Sequence, residues 1–322
     1  MRTLILMSAA LLVACGSAPT PKASAPKAKN RALAPSLQPS TFAKPAKVYI
    51  VLGSKELPSE SDLENVFARK SAMAEVGPGQ GGIEVSLEGV YCTVAKASRP
   101  VDVPKHILPS ETMPHGLTPE EAKSLAETTH VVSVRCIPDR ELPLRGLPKY
   151  AEKVAEGIAD VMDGWIHDTH TGRYWPKAAW AASRKAQSRY STDRVIRVLR
   201  TRNENGEVLL ATRGMLAFGK PDLVAFPLTI DQADAFVEHM RTMGDLLLDE
   251  GALGSGAVLS LGPVEALLVK SSVFAASSRS PLPSVGSRGN GQTGLELALV
   301  DPDGAQGVSS DQTRFFRRLL IR

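Results

Sequence analysis

The chain has 322 residues, 43% of them hydrophobic, more than one small domain needs and enough for one large or two small globular units. Its formal charge is +4, but seven of the 38 bases (Arg2, Lys22, Lys27, Lys29, Arg31, Lys44 and Lys47) lie in residues 1–47, which hold no acid, leaving 31 bases against 34 acids beyond them. The folded part is therefore slightly acidic, which removes the electrostatic case for nucleic-acid binding.

Residues 4–13 are apolar or small, follow Arg2, and end in Leu12-Val13-Ala14-Cys15. That run is too short to span a hydrocarbon core of ~30 Å as a helix. A positive start, an apolar centre and small residues at a cleavage point are the marks of a secretory signal peptide. The four residues resemble the lipobox of bacterial lipoproteins, and the resemblance covers the first 17 residues. It implies cleavage after Ala14 and a mature N-terminus at Cys15, carrying a thioether-linked diacylglycerol and an amide-linked acyl chain. Each buried CH₂ contributes about 0.8 kcal/mol, so two or three chains hold the protein on a bilayer without a transmembrane helix. Gly16, where the usual sorting pattern has Asp for inner-membrane retention, implies the outer membrane.

Residues 1–14 are thus read as the signal peptide and 15–47 as the lipidated Cys and its tether. The tether holds Pro19, Pro21, Pro26, Pro35, Pro39 and Pro45 among Ala, Ser and Lys, a composition that cannot bury a core. Its expected reach lies between ~30 Å as a coil and ~100 Å as a polyproline-like spacer.

The folded chain is expected to begin with a buried strand at Val48–Leu52. Ser61 and Glu64 have capping-box spacing ahead of an apolar face, which predicts a helix. Ile83–Leu87 and Tyr91–Ala95 predict a hairpin. Residues 98–117 carry four prolines and predict a long surface loop, the segment that geometry alone favours for a site. Thr118-Pro119-Glu120-Glu121 opens a helix with a Thr cap, Pro at its first position and Glu at its third. A strand follows at His130–Ile137.

Leu147, Tyr150, Val154, Ile158, Val161 and Trp165 recur at intervals of three and four, opposite Lys149, Glu152, Lys153, Glu156 and Asp160, which predicts an amphipathic helix stopped by Gly164. Trp165–Asp168 reads as a strand turning at Thr171-Gly172, and the segment Tyr174–Arg189 as helical after Pro176. Arg194–Thr201 and Val208–Ala211 flank Asn205-Gly206 and predict a hairpin. Thr229 and Gln232 cap a helix running to about Glu250, with Met240 and Met243 as core filler. Val264–Val269 predicts a strand, and 275–294 a flexible Ser/Gly/Pro stretch.

Helices interleaved with hairpins favour an α+β fold with a mixed or mainly antiparallel sheet. The globular region is placed at 48–274, and a recurring strand-helix-strand-strand order is compatible with two similar subdomains divided near residue 129. In the C-terminal segment 295–322, Phe315, Phe316, Leu319 and Leu320 have helical spacing. They are expected to dock on the domain or a partner, with a membrane surface met through Arg314, Arg317, Arg318 and Arg322 as the alternative.

Gly77, Gly79 and Gly82, like Gly289, Gly291 and Gly294, match a G-x-G-x-x-G spacing but lack the strand before and helix after that a nucleotide fingerprint requires. No cofactor is assigned. His167 and His170 flank Asp168, with Trp165 before and Arg173 after, the densest polar and aromatic cluster in the chain. It supplies two or three ligands where a closed zinc site needs four and a catalytic one three plus water, and Asp and Thr also favour turns. No metal is therefore assigned, and these three residues stand as the candidates for one. No G-x-S-x-G or H-E-x-x-H occurs, and no catalytic residue is named.

Outside the cytoplasmic membrane disulfides form and persist. Cys92 and Cys136 both lie in expected strands and are predicted to pair; the alternative is two separately buried thiols. The resulting expectation is an envelope lipoprotein whose domain binds a protein or an envelope polymer. The alternatives are a hydrolase or metal-dependent enzyme centred on His167, Asp168 and His170, with Trp165 and Trp175 lining its pocket, and a purely structural envelope component.

Overall fold

The apolar run that follows the tether folds as β1 (Lys47–Gly53), and two antiparallel neighbours flank it in the middle of a sheet. A computed structural model of the chain describes residues 45–71, 73–99, 117–139, 142, 145–186, 195–249, 258–261, 264–270, 296–300, 315–317 and 320. The other strands of the first sheet are β2 (Glu75–Gly79), β3 (Gly82–Leu87), β4 (Val90–Lys96), β5 (His130–Pro138), β6 (Gly164–Asp168) and β7 (Arg173–Pro176). Their order is β2-β3-β4-β5-β1-β6-β7, all antiparallel.

The second sheet contains β8 (Arg197–Arg202), β9 (Val208–Arg213), β10 (Asp222–Leu228), β11 (Val258–Leu261), β12 (Val264–Lys270) and β13 (Glu296–Val300), in the order β11-β12-β13-β10-β9-β8. Its β10–β13 pair is parallel and the rest antiparallel, so this sheet is mixed and the fold is α+β. The two sheets have different strand orders. Residue 129 lies between α2 (Pro119–Ala126) and β5, within the span of the first sheet, so the division between sheets falls after β7 instead.

Helices cover the first sheet on both faces. α1 (Glu60–Ala68) and α3 (Gly146–Met162) bury Leu63, Phe67, Val154 and Ile158 against Tyr49, Val51, Val134 and Ile166. α2 covers part of the opposite face, where Leu52, Val131, Trp165 and Tyr174 meet Ala122 and Leu125. The second sheet packs Leu210, Leu223, Ala225 and Leu268 against Phe236, Met240 and Met243 of α5 (Ile230–Asp249). Phe315 and Phe316 are fully buried in that core, so the C-terminal apolar pair docks on the domain. Arg145, at the head of α3, bridges to Asp245 of α5 at 2.8 Å.

Local capping rules locate several of these elements. Thr118 accepts from Glu121 N at 3.2 Å while the Glu121 carboxylate accepts from Thr118 N at 2.9 Å. Thr229 and Gln232 make the same reciprocal pair ahead of α5. The cap of α1 is Ser59 with Asp62, two residues ahead of the expected Ser61 and Glu64, because Ser59 lies at the extended-to-helical break. Asp163 in the left-handed conformation ends α3, and Gly164 instead opens β6, where a Cβ would lie 2.4 Å from the Leu52 carbonyl oxygen. Tyr174 and Trp175 belong to β7, and α4 starts directly after Pro176, where the sequence places a helix, and runs from Lys177 to Ala186. Gly77, Gly79 and Gly82 lie in the β2–β3 hairpin. The expected loop at 98–117 falls largely outside the described residues, and Cys15, the tether as far as residue 44 and the whole stretch 275–294 lie outside them.

Candidate functional site

The cluster that the sequence singles out, residues 165–175, forms the β6–β7 hairpin at one side of the first sheet. Consecutive residues of a strand point to opposite faces. The register sets His167 across from Ile50 and Asp168 across from Tyr49, and Ile50 and Tyr49 pack in different cores. His167 therefore faces the α2 side, where its ring stacks on Tyr174 at 4.0 Å with 9° between planes. Asp168 faces the α3 side.

There the Lys47 ammonium donates to both carboxylate oxygens of Asp168, at 2.7 and 2.8 Å, with both side chains buried. The backbone N–H groups of His170 and Thr171 donate to Asp168 Oδ1 at 3.0 and 3.4 Å, and Gly172 N donates to the Asp168 carbonyl at 2.8 Å. Asp168 thus builds the turn and neutralises the first charge of the fold at once. Burial opposes its ionisation, but the charges of Lys47 and His170 and the hydrogen bonds from Lys47 and Thr171 outweigh that, holding its carboxyl below the ordinary value.

Aromatic rings wall this ion pair. The Lys47 ammonium lies 5.1 Å from the Tyr49 ring centroid, Trp180 of α4 meets Tyr49 edge-on at 5.7 Å, and Trp175 meets Trp180 at 6.1 Å. Arg173 covers the Trp175 ring at 5.9 Å. Trp165 lies across the sheet, packing under α2 with its indole N–H on Ser124 Oγ at 3.3 Å. Trp165 and Trp175 accordingly line no common pocket.

This geometry divides the expected His167, Asp168 and His170 set. Metal donors must converge on one point, whereas His167 and Asp168 lie on opposite faces of the sheet and the Asp168 oxygens hold an ammonium and two amides. Among the described residues no group of three or more His, Cys, Asp or Glu side chains is placed to hold a metal ion. What the arrangement does is mechanical: it fixes the hairpin and the start of β1.

Cys92 and Cys136 lie directly opposite each other in β4 and β5, with Cα atoms 4.0 Å apart, and are joined by a disulfide in the core beneath α3.

Sequence patterning does not reveal two other polar arrangements. The Arg99 guanidinium donates to the Thr128, Leu125 and Ala126 carbonyls at 2.6, 3.0 and 3.2 Å, closing the C-terminal end of α2. Burial lowers the Arg99 pKa and nearby Tyr174 counters that. In the second sheet, Asp222 Oδ1 accepts from Met215 N at 3.2 Å and from Thr212 Oγ1 at 3.3 Å, and Leu223 N donates to Thr212 Oγ1 at 2.7 Å. These contacts fix the bend through the 3-10 turn Met215–Phe218.

Comparison with models of protein families, with curated proteins and with solved structures finds no match to this chain.

Proposed function

We propose that this chain is a lipid-anchored protein of the bacterial cell envelope, held by acyl chains on Cys15, whose α+β domain binds a protein or an envelope polymer at the end of its tether. The observation that carries this reading is the complete four-position lipobox Leu12-Val13-Ala14-Cys15 behind a short apolar run. Gly16 after the lipidated Cys favours the outer membrane. The binding role is preferred to a hydrolytic one because His167 and Asp168 diverge from a common centre, and because Lys47 and the turn amides occupy Asp168.

The test is metabolic labelling with a radioactive fatty acid, followed by detergent partition, of the parent and of Cys15→Ser. The parent is expected to take up label and enter the detergent phase, and the variant to do neither. A Ser variant that is still processed and membrane-bound refutes the anchor. Density fractionation then assigns the membrane, and crosslinking in intact envelopes separates a binding module from a purely structural component, since only the former yields a defined adduct.

A further inference from the structure

The edge strand β8 has the sequence Arg-Val-Leu-Arg-Thr-Arg and ends the second sheet on the side away from β11. All six residues are partly or fully exposed, and among the described residues no strand pairs with its outer side. An open strand edge presents unpaired N–H and C=O groups and is a template for another chain. Proteins often guard such edges with charge, and two of these arginines fit that role: Arg200 pairs with Asp234 of α5, and Arg202 Nε donates to the Gly206 carbonyl at 3.3 Å.

Arg197 does not fit it. It is half-buried, and burial lowers its pKa. No carboxylate among the described residues lies within ion-pair distance of it. Its register partner in β9 is Arg213, a like charge directly opposite, which is unfavourable by itself. Asp222 lies beyond Arg213, with its Oδ2 3.9 Å from the Arg213 guanidinium. The row therefore runs Arg197, Arg213, Asp222, with a cation at the open end.

In sequence, positive charge is concentrated within β8 and in the residues just before it. Residues 184–202 carry seven bases and one acid, Asp193, so the 31 bases and 34 acids beyond residue 47 become 24 and 33 once this stretch is set aside. Beyond residue 47 the sequence is net acidic, whereas β8 and the residues that precede it in sequence are net basic.

We propose that the outer edge of β8 receives an extended acidic peptide segment of a partner protein, which adds as a seventh strand to the second sheet with a carboxylate on Arg197. The backbone pairing supplies affinity, and the arginines supply preference for acidic side chains and dependence on salt. This inference rests on the reading of the domain as a binding module and identifies the partner's chemistry. It is tested without reference to the anchor, so its failure leaves the Cys15→Ser result untouched.

The experiment uses the full chain in detergent and a fluorescent peptide of alternating Val and Glu, followed by anisotropy and by hydrogen exchange of the β8 amides. Saturable binding is expected, with protection of β8 and weakening as salt is raised. Arg197→Glu places a carboxylate opposite Arg213, which favours folding, and is expected to weaken binding about tenfold or more; Arg197→Gln is expected to fall between. Replacing the central Val residues of the peptide by Pro should abolish binding while keeping its charge. Equal binding of that analogue, or displacement of the peptide by phosphatidylglycerol vesicles through the same Arg197, would show that β8 recognises negative charge and no strand, and would overturn the proposal. So would absence of peptide binding together with self-association of Arg197→Glu, the behaviour of an edge guarded against other copies of the chain.

Discussion

Lys47 and Asp168 are 121 residues apart in sequence, and the ammonium of the first lies 2.7 and 2.8 Å from the two carboxylate oxygens of the second. The pair joins the point where the chain enters the first sheet to the hairpin that closes one side of it. Removing two charges from water is costly, and their attraction offsets this only where the remaining donors and acceptors are satisfied, as the His170 and Thr171 amides do here for Asp168.

Breaking this pair on one side is expected to be severe. Asp168→Asn leaves the Lys47 ammonium buried without its counter-charge and should cost about 3 to 5 kcal/mol. The double change Lys47→Met with Asp168→Leu removes both charges and should cost less than either single change. Urea unfolding followed by tryptophan fluorescence checks both, since Trp165, Trp175 and Trp180 all surround this sheet. A double variant less stable than both single variants would show that the pair is not the origin of the effect.

The same pair predicts an acid limit. The folded-state pKa of Asp168 lies below its unfolded value, so the folded protein binds fewer protons than the unfolded chain between the two. The stability it contributes is fully present above the ordinary carboxylate value of about 4. It is lost as pH falls through the depressed folded value. The melting temperature of the parent should therefore drop more steeply below about pH 4 than that of Asp168→Asn, which carries no titrating group at this position. Parallel curves for the two proteins would remove Asp168 from the account.

What was legible in the sequence was local. The caps at Thr118 and Thr229 and the turn at Asn205-Gly206 each depend on a few consecutive residues, and each lies where its pattern points. α1 shifted because Ser59 with Asp62 and Ser61 with Glu64 satisfy the same spacing, and only the backbone chooses between them. β2 was hidden by Pro78 among glycines, which an edge strand tolerates. β13 joins the sheet between β12 and β10, a non-local pairing that no short window reports. At the candidate site the residues were recognisable but their geometry was not. Expecting a strand at 165–168 already implied that His167 and Asp168 point apart, a signal that alternation supplies. Lys47, at the end of the tether, carried no mark of its partner.

The Cys92–Cys136 bond closes a loop with a sequence separation of 44. In the chain-entropy model a loop of that size restricts the unfolded ensemble by about 4 kcal/mol. Cys92→Ala with Cys136→Ala should lower the urea midpoint accordingly, and thiol titration of the unfolded, unreduced parent should find neither sulfur free. Since both cysteines are fully buried, a reductant should act on the folded protein only as fast as β4 and β5 open. Reduction much faster than exchange of the amides in those strands would place the bond outside the protected core.

The C-terminal pair Phe315 and Phe316 completes the second core from the far end of the chain. Both rings are fully buried, 5.1 Å apart, and Phe316 meets Phe236 of α5 at 5.3 Å and 70°. Truncating a buried Phe removes its transfer energy and leaves a cavity, so Phe316→Ala should destabilise by about 3 to 5 kcal/mol. The loss should fall on the second sheet. Hydrogen exchange should speed up in α5, β9 and β10, while β1 and β5 hold their protection, because their core beneath α3 contains neither ring. Arg317, beside them, is exposed, and Arg317→Ala should leave exchange unchanged. A Phe316→Ala protein with unaltered exchange throughout the second sheet would mean that the C-terminal residues lie on the domain without supporting it.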